Sequence, residues 1–277
     1  GLKIYTTIDP KLQDSAEKII ANNSEKFEKN YNVKNTALVA MDPKTGQVLA
    51  MVGSRNYKDK EIEGQNNIIT SFRQPGSSFK PIVYAASFLK GFSPSSIVFD
   101  VPLKFSDYVP KNFDGKFTGP ISIRTALAQS RNIPAIKAYF LAGEQKPIMD
   151  LAKKMGVDFL SEDDQHGASF ALGSAEVSPL SMATAYSTFA NGGYYKPPVT
   201  ILKIQNAQGE TLEEWKDDEN PEPISSEFTQ VAYLINSILS DDSVKLGVNL
   251  TIPGQVVATK TGTSTDSKGL PHDLWTD

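Results

Sequence analysis

Two apolar runs near the start of the chain, Thr36-Ala37-Leu38-Val39-Ala40-Met41 and Gln47-Val48-Leu49-Ala50-Met51-Val52, flank Asp42-Pro43-Lys44-Thr45-Gly46. The linking residues have turn chemistry, so the segment predicts a β-hairpin over 36–53. A second β-rich run, Gln255-Val256-Val257-Ala258-Thr259-Lys260-Thr261-Gly262-Thr263-Ser264, lies near the other end. A short strand over 2–8 and a second hairpin over 199–215 complete the β content. Between them, helical patterns cover 10–29, the run after Ser77, 121–129, 135–141, 148–155, 179–190 and 228–239. Strands at both ends with helices between predict an α+β fold. Its mainly antiparallel sheet is flanked by helices, and its first and last strands meet. The stretch 91–120 is rich in Pro, Gly, Phe and Asp and reads as one long irregular loop. A loop of that length inside a compact fold is usually functional.

Composition removes several functions. A net charge of −4 argues against nucleic acid as a partner. The absence of cysteine removes disulfides and thiol chemistry. His166 and His272 share no ligand spacing with Asp or Glu, so neither a metal nor another cofactor is expected. A Ser-His-Asp arrangement stays open, although His166 lies in a polar stretch that reads as solvated loop. No run approaches the roughly 18 apolar residues of a spanning helix. Gly1 reads as the start of a cut-out domain, so membrane attachment is expected only through an N-terminal anchor outside this sequence.

Short catalytic patterns recur here and must be separated by context. Ser-x-x-Lys occurs at Ser15/Lys18, Ser77/Lys80 and Ser87/Lys90, and Lys-Thr-Gly at Lys44 and Lys260. Ser15 and Lys18 fall on an amphipathic helix and read as exposed positions. Ser87 and Lys90 close a helical run before Gly91, where a lysine serves the helix C-terminus. Lys44-Thr45-Gly46 is the hairpin turn. Ser77 differs, because Gln74-Pro75-Gly76 breaks the chain just before an apolar run and places it at a loop-to-helix junction. Pro81 fits the first helical turn there. Ser77 or Ser78 as a plain N-cap is the competing reading. Lys260 and Thr261 end a strand, and a glycine within a strand marks close approach by a ligand or another backbone. Ser130-Arg131-Asn132 falls between two helices, with Pro134 expected to hold Ile133 out of the helical region.

These residues suit acyl transfer. Ser77 and Lys80 share one helix face. A serine hydroxyl needs a base to become nucleophilic. A lysine becomes that base when burial and nearby positive charge, here Lys260, lower its pKa. Free N–H groups at the helix start suit an oxyanion. Ser130 can relay a proton, and Asn132 can donate and accept hydrogen bonds. Lys260, Thr261 and Thr263 suit a carboxylate.

Ser-x-x-Lys with Lys-Thr-Gly resembles the signature of penicillin-binding proteins and class A β-lactamases. The order of all three motifs extends the likeness. So do Tyr5-Thr6-Thr7-Ile8-Asp9, Ala40-Met41-Asp42-Pro43-Lys44-Thr45-Gly46, Arg73-Gln74-Pro75-Gly76, Pro110-Lys111-Asn112-Phe113-Asp114 and Ala171-Leu172-Gly173-Ser174. From Gly1 to Thr263 the chain resembles the transpeptidase domain of a class A (bifunctional) penicillin-binding protein. The resemblance implies the penicillin-binding protein/serine β-lactamase-like fold. It implies that residues 1–35 are a strand and helix following an absent glycosyltransferase domain, and that 36–277 are a C-terminally incomplete transpeptidase domain.

It further implies a serine D,D-transpeptidase at the extracytoplasmic face of the bacterial cytoplasmic membrane. Ser77 would attack a stem peptide ending in D-Ala-D-Ala and release D-Ala, and β-lactams would leave Ser77 acylated. Lys80 is then the base, with Ser130, Asn132 and Lys260 handling protons and substrate. The N–H groups of Ser77 and Thr263 form the oxyanion hole, and Thr261, Gly262 and Thr263 hold the substrate carboxylate. The sequence ends soon after the Lys260 strand, which is therefore expected as an unpaired edge that a second chain or fragment completes. A D,D-carboxypeptidase, a β-lactamase using Glu162 or Glu176, and a non-catalytic β-lactam sensor are the alternatives.

Overall fold

The computed structural model describes residues 1–105, 109–218, 220–246, 252–265 and 270–277. In chain order the elements are β1 (Lys3–Thr6), α1 (Pro10–Tyr31), β2 (Leu38–Met41), β3 (Val48–Val52), α2 (Lys80–Phe88), β4 (Ile97–Asp100) and β5 (Gly119–Ser122). Then come α3 (Ile123–Ala128), α4 (Asn132–Ala142), α5 (Gln145–Lys154), α6 (Pro179–Ala190), β6 (Ile201–Gln205), β7 (Thr211–Glu214), α7 (Ser226–Leu239), β8 (Thr261–Thr265) and β9 (Pro271–Thr276). Three 3-10 turns, Ile68–Thr70, Gly76–Phe79 and Gly167–Leu172, join them. The fold is α+β, and every ladder between these strands is antiparallel.

Helix α2 organises the core. All nine of its residues are buried, as expected of a helix that is apolar all round. Helices α3, α4, α5 and α7 and the Gly167–Leu172 turn pack around it, and α6 packs on α7. Phe79 meets Phe170 edge to face, with ring centres 5.2 Å apart. A second, smaller cluster belongs to a layer of α1, β2 and β3, which meets the core where β2 packs on α6. The Asp9 carboxylate accepts from Lys11 N and Leu12 N to start α1. Ala16 and Ile20 of that helix pack on Ala50 and Val52. Gln13 exchanges two hydrogen bonds with the Met51 backbone, at 2.8 and 3.1 Å.

Four expectations need correction. First, β1 pairs with β6, in the order β1-β6-β7, and not with the last strand. The Thr7 hydroxyl, just past β1, donates to Val48 O and Val199 O and fixes this end of the chain on the middle strands. Second, 91–120 is not all loop, since β4 pairs with β5 along Ile97–Ser122 to Asp100–Gly119. Gly119-Pro120 argues against a strand, but a two-stranded ladder has only edges, where proline is tolerated. Third, α4 begins at Asn132 and includes Ile133 and Pro134. Proline in a first turn removes no helical hydrogen bond, and the Asn112 Oδ1 accepts from Asn132 N at 2.8 Å.

Fourth, the Lys260 strand is not left unpaired. β8 and β9 form a hairpin with Thr261 opposite Thr276 and Gly262 opposite Trp275. The pairing strand comes from the same chain.

Candidate active site

Ser77 lies on the 3-10 turn Gly76–Phe79, and Lys80 is the first residue of α2. The Lys80 N–H donates to Ser77 O, three residues back. In a 3-10 turn residues i and i+3 eclipse, so Ser77 sits over Lys80 more directly than on an α-helix. The competing role is excluded for Ser78, whose hydroxyl turns back to Pro75 O at 3.0 Å.

Glycines let three backbone segments meet here. Gly76 has φ +57°, and a Cβ there would stand 2.2 Å from Thr263 O. A Cβ on Gly173 would meet Gly76 O at 2.2 Å, and one on Gly262 would meet Pro75 O at 2.4 Å. The strand glycine therefore does mark a close backbone approach, by the nucleophile loop.

The polar groups converge on Ser130. Lys80 is fully buried, and its Nζ lies 2.6 Å from Ser130 O, 2.7 Å from Asn132 Oδ1 and 3.4 Å from Ser130 Oγ. Lys260 Nζ reaches Ser130 Oγ at 2.8 Å and Thr261 O at 2.7 Å. The Ser130 hydroxyl thus stands between two buried amines. Its backbone is left-handed, at φ 55°, a conformation non-glycine residues hold only when the surroundings enforce it.

Burial, and then the charge of Lys260, holds the Lys80 amine well below the usual lysine range. Burial lowers Lys260 to about 8, while the Asp277 carboxylate pulls it back up. A neutral Lys80 has two N–H donors and one lone pair. Ser130 O and Asn132 Oδ1 take the two donors, which leaves the lone pair for a hydroxyl. No hydrogen bond joins Lys80 Nζ to Ser77 Oγ among the described residues. Catalytic hydrogen bonds often tighten only once substrate is bound.

Along β8, Gly262 and Ser264 are buried and Thr261 and Thr263 are exposed. Alternation puts Lys260 on the buried face and leaves Thr261 and Thr263 together on the open one. The Thr263 backbone lies against Gly76, next to the Ser77 N–H.

Several supporting residues carry no signal in the sequence. Asn112 is buried and donates to Asp100 Oδ1 at 2.7 Å and Lys116 O at 2.8 Å. Its Oδ1 caps the start of α4, and Asn132 Nδ2 donates to Lys111 O at 2.8 Å. Arg131 grips both oxygens of Asp114 at 3.0 Å. Hydrogen bonding from the Lys116 N–H, and then the Arg131 charge, hold the Asp114 carboxyl below its ordinary range. Arg73 bridges from the nucleophile loop to Asp273 on β9 at 3.0 Å. Asn112, Asp114, Arg73 and Arg131 fell within family-like blocks or motifs without a role of their own, and Asp100 and Asp273 had no mark at all.

The decoys separate as expected. Ser15 bonds Lys11 O and Lys18 pairs with Asp14 on exposed α1. The Ser87 hydroxyl is buried on Tyr84 O. Thr45 bonds Asp42 within the first turn. His166 packs on Phe170. His272 and Ser264 both bond Asp273 Oδ2, at 2.9 Å each, so no serine is bonded to a histidine there. Glu162 pairs with Lys153, and Glu176 is exposed.

Residues 36–270 match the family model described as Penicillin binding protein transpeptidase domain. The chain belongs to this family. It is 35% identical over 271 residues, 95% of its length, to penicillin-binding protein 1A/1B of Bacillus subtilis. It is 38% identical over 183 residues, 64% of its length, to penicillin-binding protein 1A of Pseudomonas aeruginosa. It spans 28% and 22% of those relatives' lengths. The whole chain superposes on penicillin-binding protein PonA1 of Mycobacterium tuberculosis with a TM-score of 0.85 and 28% identity, covering 72% of that chain. A structure of PonA1 in complex with penicillin V superposes at 0.83, with 28% identity and 73% of that chain covered.

Proposed function

We propose that this domain is a serine D,D-transpeptidase that crosslinks peptidoglycan stem peptides and is acylated by β-lactams. The observation that carries the reading is a fully buried Lys80 beneath Ser77, bonded to Ser130 and Asn132, with its pKa lowered by burial and then by Lys260. Ser77 Oγ attacks the penultimate D-Ala carbonyl, and its proton passes to Lys80. The oxyanion takes the N–H groups of Ser77 and Thr263. Thr261, Gly262 and Thr263 hold the terminal carboxylate. The amide C–N bond breaks, and the D-Ala amine leaves with a proton relayed through Ser130. An amine of a second stem peptide then displaces Ser77 from the ester and forms the crosslink.

The penicillin V complex of PonA1 supports β-lactam binding here, at 28% identity. The exposed Glu176 and the ion-paired Glu162 give no support to a deacylating β-lactamase. The far greater length of the relatives supports a longer parent protein, which on this reading also carries a glycosyltransferase and an N-terminal anchor. That anchor would place this domain outside the cytoplasmic membrane. Among the described residues no helix is long and apolar enough to cross it.

Incubation with a fluorescent penicillin, followed by a denaturing gel and intact mass, tests the reading. A stable adduct is expected, absent from Ser77→Ala. Lys80→Ala should fold and acylate roughly 10²–10⁴-fold more slowly. Rapid turnover without an adduct, or an adduct retained by Ser77→Ala, would sink it.

A further inference from the structure

Strand β9 brings a carboxyl group to the back of the site that the mechanism above does not use. Lys260 and Asp277 exchange both backbone hydrogen bonds, at 2.9 and 3.0 Å. Directly opposite residues in an antiparallel ladder project side chains to the same face, about 5 Å apart at Cβ. For this pair it is the buried face, where Lys260 lies with Gly262 and Ser264. Asp277 Oδ2 is buried and has no hydrogen-bond partner among the described residues. Lys260 Nζ bonds only neutral oxygens there, Ser130 Oγ and Thr261 O. A buried cation and a half-buried carboxyl with one buried, unpartnered oxygen, neither in an ion pair among the described residues, therefore face each other across one ladder. Burying either charge alone is costly, and each offsets the other.

We infer that Asp277 is a positioning residue, supplying the countercharge that keeps the Lys260 ammonium cationic and aimed at Ser130. The inference rests on the acylation reading above and adds a residue to it. Burial pushes the Asp277 carboxyl up to about 7, while Ser78 and Lys260 pull it back. With Lys260 near 8, both groups are charged in a narrow interval around neutral pH. Below it Asp277 gains a proton, and above it Lys260 loses one.

The surrounding groups do not replace this pairing. Lys80 on α2 is a second buried amine, and the Lys260 charge disfavours its protonated form. Tyr186 on α6 donates to Ser78 O at 2.8 Å, and burial, then Asp277, pushes its phenol far up, so it stays neutral. The Lys245–Asp242 pair after α7 reaches Thr259 Oγ1 and is already compensated. The Arg73–Asp273 pair sits at the other end of β9.

Two measurements test the inference. The first is the pH profile of penicillin acylation for the folded Asp277→Asn variant. Its alkaline limb, set by loss of the Lys260 proton, should move to lower pH by about one unit, the low end of what an opposite charge nearby does. A loss of rate with the limb unmoved would indicate a packing role and overturn the inference. The second uses the unaltered chain and needs no activity. The Asp277 Cγ resonance should titrate well above the ordinary carboxylate range, and the Lys260 Cε resonance should shift along with it. A carboxyl titrating in the ordinary range, or a Lys260 resonance that does not follow it, would overturn the inference whether or not the variant folds. Absence of any penicillin adduct would instead defeat the acylation reading, leaving the Lys260 titration to judge this pair alone.

Discussion

Asn112 shows why the residues around a site are harder to read than those within it. Ser77, Lys80, Ser130, Asn132 and Lys260 stood out because reactive side chains recur in ordered motifs. Asn112 has no such mark, and its role exists only once β4, the 109–118 segment and α4 are together. Its amide then satisfies Asp100, Lys116 O and the first N–H of α4. Asn112→Ala would leave those buried groups unpaired, at about 1–3 kcal/mol for an orphaned polar group. It would also release Asn132, whose Oδ1 accepts from Lys80. Lower thermal stability together with slower acylation at unchanged pH optimum is expected, read by thermal unfolding and penicillin labelling. Native-like labelling in a destabilised variant would show that Asn132 keeps its place without this support.

At the level of elements, type was easier to read than partner. The helices over 179–190 and 228–239 and the hairpin over 36–53 follow local patterns, and the structure places elements there. β4 and β5 were hidden because Gly119-Pro120 carries the local signal of a loop. β9 was missed for a similar reason. Pro271-His272-Asp273-Leu274-Trp275-Thr276 has only half a strand pattern, and pairing with β8 decides it. That pairing presses Gly262 onto the nucleophile loop. Gly262→Ala would set a Cβ 2.4 Å from Pro75 O and 2.9 Å from Ser78 N. Neither is a flexible side-chain end, so β8 and the loop must separate. A cost of about 1–3 kcal/mol, the range for overpacking, should accompany a large loss of acylation. Labelling at the native rate would mean the two segments have slack that this geometry denies them.

The whole molecule divides into layers of unequal strength, and that division predicts where it opens first. The main core joins α2 to α7 and carries Ser77, Lys80 and Ser130 on its edge. The layer of α1, β2 and β3 has a separate, smaller cluster of buried Ala16, Ile20, Ala50 and Val52, backed by Leu38 and Ala40. Sequence periodicity marked both layers but could not rank them, because burial depends on what each face meets. Regions with few buried apolar contacts open at lower free energy than the core. Amides of α1 should therefore exchange with solvent well before those of α2 and α4. Ile20→Ala removes the largest side chain of the small cluster, at about 2–5 kcal/mol for a buried Ile→Ala change. Because α1 packs chiefly on β3, and β2 meets the rest of the fold through α6 rather than through α2, penicillin acylation should stay within about twofold while α1 exchange accelerates, since distant sites with no shared partners act additively. Hydrogen exchange and labelling on the same sample decide the matter. If acylation falls in step with α1 protection, the two layers form one cooperative unit, and the hairpin bearing the first Lys-Thr-Gly supports the site bearing the second.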